Sequence, residues 1–304
     1  MGRDIVRKDM FTLSYTPDAK FKIVRQDEEF FYVPVREALA EDYQGPVFNI
    51  ECDGPHSYLA KGFAVHNCSA MAYSAQDSLH AAVVELVAKP GSEINYFTAQ
   101  NWDPANVWNM VTKRARAEAR STVRWIQGEL GSRTNLKYPS VYLVGEGAHA
   151  EILSVAFAGA GQNQDTGGKA VHLASNTTSQ IISKSISSEG GIASYRGLLE
   201  IADGAENCRS RVVCDALLLD DKSVSNTWPT IRIGDPSADV GHEATVSKVG
   251  DEQLFYLMAH GISESEASAM IVNGFIEPIV KEMPLEYAVE INRLLELQME
   301  GSIG

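Results

Sequence analysis

From Leu79 to about Val249 the chain is a succession of short apolar–polar alternations, each stopped by a cluster of Gly, Asn, Asp or Ser. Ala81–Leu86, Ile94–Ala99, Thr122–Gln127, Val141–Val144, Ile181–Ile186, Tyr195–Ile201, Arg211–Leu218 and Thr230–Ile233 are such segments, and Gly159–Gly168, Ser188–Gly191 and Asp220–Asn226 are the breaks between them. Successive side chains of a strand point to opposite faces, so this rhythm predicts many short strands with one face buried. The expected body is an all-β coil, sandwich or barrel. Helical stretches do not recur between the strands, which argues against a doubly wound sheet. The spacing is too uneven to count one period, and a parallel β-helix tolerates that unevenness better than a propeller does.

The last sixty or so residues change to helical spacing. Asp251–His260 carries Leu254, Phe255, Leu257 and Met258 and is stopped by Gly261, a residue suited to the left-handed position after a helix. Ser263-Glu264-Ser265-Glu266 reads as a capping box opening a second helix that ends near Gly274. A third starts after Pro284 and carries Tyr287, Val289, Ile291, Leu294, Leu295 and Leu297 toward Glu300. The expectation is a small helical region on a β body.

Composition narrows what such a body can do. With 44% apolar residues in 304 the chain can build a real core. Its 26 basic and 40 acidic residues give a net charge of −14, and no basic patch recommends a nucleic-acid partner. No apolar run is long enough to span a membrane and no signal peptide opens the sequence, so a soluble, cytoplasmic protein is expected. The four cysteines, Cys52, Cys68, Cys208 and Cys214, form no Cys-x-x-Cys pair, against a disulfide scaffold or zinc knuckle. Gly167-Gly168-Lys169-Ala170 lacks the upstream Gly and the hydroxyl residue of a P-loop, so the chain itself is not expected to bind ATP.

One tripeptide, His66-Asn67-Cys68, carries chemistry of its own. The Asn67 side-chain amide can attack its own main-chain carbonyl, closing a succinimide and releasing Cys68 as a new amino terminus, and the Cys68 thiol can attack an upstream ester. The stretch from Val47 to Cys68, with His56 upstream, resembles the two C-terminal splicing blocks of an intein. That resemblance implies a β-rich, Hint-type fragment over residues 1–67. In it His66 assists Asn67 cyclisation, His56 supports the same step, and the scissile bond is Asn67–Cys68. A His suits these tasks because its pKa lies near neutrality. The start Met1-Gly2-Arg3-Asp4 is not an intein nucleophile, and no Thr-x-x-His block occurs, so splicing within this chain is not expected. Asn49 also stands where the upstream block often has Asp.

The remainder, residues 68–304, resembles SufB, the iron–sulfur cluster assembly scaffold. The segments that carry the resemblance are Leu79–Glu85, Gln100-Asn101-Trp102, Ser194-Tyr195-Arg196-Gly197-Leu198, Gly241–Gly250 with the helix after it, and Gln298–Gly304. It implies a right-handed parallel β-helix over about 68–240 followed by a helical region over 241–304. The implied cargo is a transient iron–sulfur cluster. Cys68 falls where the family has its sulfur-accepting cysteine, His242 and Glu243 match a His-Glu pair implicated as iron ligands, and Cys214 matches a further family cysteine. The implied partners are a SufC-type ATPase, a SufD-type subunit or a second SufB, and a sulfur donor protein. The chain is then a scaffold, not an enzyme, with single-turnover autoprocessing at Asn67–Cys68. A competing reading makes it chiefly a self-cleaving or trans-splicing intein half with scaffold cargo. The cysteine that better-known members carry shortly before the His-Glu pair is absent, Ile233 sitting near that place.

Overall fold

The structure, a computed structural model, describes residues 77–300 continuously and, before them, six short strands at 10–13, 25–26, 31–32, 38–41, 57–60 and 63–66. The chain divides into two compact units, Met1–Cys68 and Ser69–Gly304. In the first, β1 (Met10–Leu13) pairs antiparallel with β4 (Ala38–Glu41), and β2 (Arg25–Gln26) with β3 (Phe31–Tyr32). Strands β5 (Ser57–Ala60) and β6 (Phe63–His66) also pair antiparallel, Ser57 opposite His66.

The second unit is mainly β, a parallel solenoid. Each of its turns places one stretch of chain in each of two sheets. One sheet stacks β8 (Glu93–Trp102), β10 (Thr122–Gly131), β13 (His149–Ala158), β16 (Thr178–Ser187), β18 (Arg209–Leu218) and β20 (Asp239–Lys248). The other is built from β7 (Ser78–Ala88), β9 (Val107–Ala117), β11 (Thr134–Lys137) with β12 (Ser140–Leu143), β14 (Asn163–Thr166) with β15 (Lys169–His172), β17 (Ile192–Ile201) and β19 (Val224–Ile233). Every pairing between turns is parallel, and the stacked partners Glu93, Thr122, His149, Thr178, Arg209 and Asp239 follow one another 27 to 31 residues apart. That variation is why no single period can be read from the sequence.

Parallel register stacks like positions into columns that run the length of the interior. One column is Tyr96, Trp125, Ile152, Ile181, Val212 and His242, apolar until its last member. The next is polar: Thr98, Gln127, Ser154, Ser183, Cys214 and Ala244. Buried polar groups persist only when paired, and most of these are. The Lys113 ammonium donates to Thr98 Oγ1 and Gln127 Oε1, each at 3.0 Å, and lies over the Tyr96 and Trp125 rings. Ser154 and Ser183 are joined at 3.1 Å, and a fully buried ion pair links Lys137 to Glu129.

Strands missed by alternation have physical reasons for hiding. In β9 the inward positions include Asn109 and Lys113, so the apolar rhythm is broken from inside. In β13 the run Ile152–Phe157 is buried on both faces and reads as continuous rather than alternating. Strand β20 lies at the end of the stack, exposed along most of its length, so little in its composition marks a buried face. It runs to Lys248, across the position-241 boundary at which a helical region was expected to begin.

Helices α1 (Asp251–Ala259), α2 (Glu264–Val280) and α3 (Leu285–Glu300) follow. Gly261 adopts φ +87°, its N–H bonding Met258 O while Ile262 N–H reaches Leu257 O, so the chain turns out of α1 where the glycine predicts. The Ser263–Glu266 capping box is formed on both sides. Helix α2, expected to stop near Gly274, instead continues through Gly274 and Pro278. Pro278 forfeits a backbone hydrogen bond at a cost of ~3 kcal/mol, but Ile276, Ile279 and Val280 are buried, and each such side chain contributes ~1.5–3 kcal/mol. They pack with Val272, Ile291 and Leu295 against Ile126, Leu130, Leu153, Val155, Phe157, Ile186 and Leu217 on the outer face of the first sheet. At Gly128 a Cβ would fall 2.4 Å from Ile291 Cδ1, so the glycine is what lets α3 approach. No described helix is long and apolar enough to cross a membrane.

His172, at the end of β15, is fully buried with its ring nitrogens 2.8 Å from Thr177 Oγ1 and 2.9 Å from Ser179 Oγ. Burial lowers its pKa from 6.5 to about 4. The folded state therefore resists the proton that the unfolded chain accepts, and stability present above pH 6.5 is lost as pH falls toward 4. The loss should approach ~3 kcal/mol, since one pKa unit is ~1.4 kcal/mol. Denaturant melts across this range should show that slope in the wild type and a flatter one in His172→Gln; equal slopes would contradict the assignment.

Candidate functional site

The residues read from sequence fall into two groups. His56, Asn67 and Cys68 lie outside the described residues, and His66 is described only as the last residue of β6. Cys214, His242 and Glu243 lie on the last two strands of the first sheet, at the end where the stack stops.

Cys214 stands on the inner face of β18, 5% exposed, between Ser183 and Ala244 in the polar column. Burial pushes its thiol up to about 11, the nearby Tyr195 side chain works the other way, and the neighbouring Asp215 charge adds to the rise. A neutral thiol at physiological pH is a poor nucleophile. Asp215 itself faces outward; although burial raises its pKa, bonds from Thr245 and Lys184 prevail and hold it below the usual carboxylate range. Lys184 lies 2.9 Å from it and sits over the Phe275 ring of α2, tying the helical region to the strands beside Cys214.

His242 and Glu243 are consecutive on a strand, so they face opposite sides. His242 is stacked on Val212 in the inner column, yet it is exposed, because among the described residues no further turn covers it. Glu243 is stacked on Val213 on the outer side and makes a 3.8 Å ion pair with Arg211. With both partners well exposed, that pair adds little stability. It borders a groove of about 650 Å3 whose lining includes Gln180, Arg209, Arg211, Gly241 and His242. Strand alternation thus puts His242 on the same sheet face as Cys214 and Glu243 on the other face with Arg211, while His242 and Glu243 both line the groove. Among the described residues no three His, Cys, Asp or Glu side chains converge. A thiol and an imidazole are apt donors for iron, but a complete cluster coordination needs more ligands than this face offers. Ile233 ends β19 in the other sheet.

Sequence reasoning missed the interior polar groups. Their signal was present: Asn109 and Lys113 alternate with Val107, Val111 and Ala115 at every second position, the arrangement of an inward face that is not wholly apolar. For Cys214 the arrangement predicts that peptide-resolved alkylation in the folded chain stays slow at pH 8 and accelerates only as the pH nears 11. Rapid alkylation of Cys214 near neutrality would contradict its placement.

Comparison with known proteins gives the context. The family model described as "SUF system FeS cluster assembly, SufBD core domain" matches residues 60–275. An iron–sulfur cluster assembly SufBD family protein of Mycobacterium tuberculosis is 53% identical over 305 aligned residues, covering 100% of this chain and 36% of the relative. The iron–sulfur cluster assembly protein SufB of Bacillus subtilis is 53% identical over 240 residues, 79% of this chain and 51% of the relative. A Mycobacterium leprae SufBD family protein is 56% identical over 240 residues, 79% of this chain and 27% of the relative. The chain therefore spans about half or less of the curated relatives it matches. Taken with the parallel solenoid, the match over residues 60–275 means that this chain belongs to the SufBD core family of the SUF iron–sulfur cluster assembly system.

Proposed function

We propose that residues 68–304 are the C-terminal half of a SufB-type scaffold and that residues 1–67 are the C-terminal fragment of an intein interrupting it at Cys68. The observation that carries this reading is a difference between relatives. The M. tuberculosis protein aligns along the whole chain, whereas the B. subtilis SufB aligns over 240 residues and leaves 64 of the 304 unmatched. That remainder is close to the size of the separate unit Met1–Cys68. A segment of that size, aligned with one relative and unmatched in another and ending in His66-Asn67-Cys68, is what an intein fragment would be.

In this reading the first step is release. The Asn67 side-chain nitrogen attacks the Asn67 main-chain carbonyl carbon, the bond to Cys68 nitrogen breaks, and the departing amine takes a proton, with His66 and His56 assisting. The freed Cys68 thiol then serves the scaffold as sulfur acceptor, since a thiol can be both a nucleophile toward esters and a soft ligand for iron. The cluster is cargo, built and handed on. Cys214 and His242 contribute from the inner face of the open end and Glu243 from the outer groove, and a SufD-type subunit or second SufB-type chain supplies the remaining ligands. A sulfur donor protein feeds Cys68. A SufC-type ATPase engages the helical region, where Phe255, Tyr256 and Leu285 are among the exposed large apolar side chains. The competing reading, an intein half whose cargo happens to be a scaffold, has no observation of its own in its favour.

Two experiments test the reading. Intact mass over days at neutral pH should show the wild-type chain losing residues 1–67 to leave a product beginning with Cys68, while Asn67→Ala stays whole; equal fragmentation of both would refute cyclisation. Joining residues 68–304 to the missing N-terminal half of the scaffold and reconstituting anaerobically should give cluster absorption in the visible, sharply reduced by Cys68→Ser. Full loading in that variant would overturn the role of Cys68.

A further inference from the structure

We propose that the outer face of the second sheet carries a docking site for an acidic, extended segment of a partner protein, with Arg196 and Lys169 receiving carboxylates from alternate residues of that segment. The proposal stands apart from the scaffold reading, since it uses none of Cys68, Cys214, His242 or Glu243. Helices α2 and α3 lie on the outer face of the first sheet. On the outer face of the second, Met110, Tyr142 and Trp228 stand exposed. A row of side chains from successive turns crosses that face. Tyr138, just after β11, donates to Asp165 Oδ1 of β14 at 2.9 Å. Arg196 of β17 donates through Nε to both oxygens of Asp165, at 3.0 and 2.8 Å, and its guanidinium lies 4.1 Å from the ring centre of Trp228 on β19. Asp165 is 8% exposed, whereas half of the Arg196 side chain is open to solvent. A buried carboxylate thus anchors an arginine whose far side is free.

The chain is shaped to hold Arg196 there. Gly167-Gly168 separates β14 from β15, and a Cβ on Gly167 would collide with the Arg196 carbonyl, so only glycine lets the neighbouring turn bend against this point of β17. With Nε given to Asp165, the two terminal nitrogens make no hydrogen bond among the described residues and form a fork that matches a carboxylate. Anchor and ring already fix the guanidinium, so little side-chain freedom is lost when it is engaged. Lys169 supplies the second cation. It stands opposite Leu198 in the parallel register, one strand over and two residues along from Arg196 on the same face. Strand spacing and rise put the two Cα atoms about 8 Å apart, and alternate side chains of an extended segment lie about 7 Å apart, so a Glu-x-Glu stretch can meet both. The Lys169 ammonium lies 5.3 Å from the Tyr138 ring centre and has no carboxylate partner among the described residues, Glu200 being paired with Arg232 at 3.4 Å. Tyr138 and Trp228 each already carry a cation against one ring face, so the surface presents charged edges over rings rather than open platforms for a nucleobase. Trp, Tyr and Arg are also the residues that dominate binding energy at protein interfaces.

The test is the fluorescence anisotropy of a labelled, end-blocked peptide with Glu at alternate positions, titrated with the full 304-residue chain and compared with its Gln-substituted twin. The Glu peptide should bind and the twin should not, and added salt should weaken the binding. Arg196→Gln and Lys169→Gln should each weaken it about tenfold. Arg196→Lys, a mild change at a half-exposed side chain, keeps the charge without the fork and should weaken it too. Asp165→Asn separates a positioned guanidinium from general attraction. It removes a negative charge, so attraction by charge alone predicts tighter binding, whereas loss of the anchor predicts the weaker binding expected here. Equal binding of the two peptides, undiminished binding to Arg196→Gln and Arg196→Lys, or tighter binding to Asp165→Asn would overturn the proposal. So would a nucleoside diphosphate that binds this face more tightly than the peptide does.

Discussion

Parallel stacking of like positions is the constraint on which everything else in the solenoid depends. Once the strands of successive turns are in register, each inward residue must be compatible with the one above and the one below, and the interior becomes a set of columns rather than a pooled core. The apolar column from Tyr96 through Val212 satisfies this chiefly by burial. The polar column satisfies it by bonding along and across the axis, with Lys113 bridging Thr98 and Gln127 and serines paired further on. Breaking one member strands its neighbours in a medium where an unpaired polar group is costly. The Lys137–Glu129 pair makes the point sharply, because removing either partner would leave the other as an uncompensated buried charge.

The same rule explains why the candidate site lies where the stack stops. His242 and Cys214 occupy inward positions on neighbouring strands, but Cys214 is covered by the last described turn and His242 is left exposed. Position along the axis, not residue type, decides that one is a buried thiol and the other a solvent-facing imidazole. On the outer face of the same sheet, α2 and α3 cover the C-terminal ends of the strands, leaving the N-terminal ends to form the groove that Glu243 borders. The cost of threading Pro278 through α2 is accepted because the helix must reach that apolar surface.

How much of this was legible in the sequence depended on the range of the interaction. Local signals read true: Gly261 ends α1, the Ser263–Glu266 box opens α2, and the alternating segments are strands. Signals that depend on what lies across the fold did not. The stop expected at Gly274 was overridden by tertiary packing, β13 was masked by burial on both faces, and β20 was masked by having too little. The site was half legible. His242, Glu243 and Cys214 were named from resemblance, but the division of His242 from Glu243 by strand alternation becomes visible only once β20 is known to be a strand. The junction chemistry at Asn67–Cys68 rests on the sequence itself, since those residues lie outside the described ones.

The central proposal is that the open end of the solenoid presents His242, rather than Glu243, to the cluster. Pulsed electron paramagnetic resonance on the reduced cluster, assembled in the continuous scaffold, reads this directly through the nitrogen of a coordinating imidazole. The account predicts a nitrogen coupling in the wild type that persists in Glu243→Gln and vanishes in His242→Ala. A coupling unchanged in His242→Ala, or none in the wild type, would contradict it.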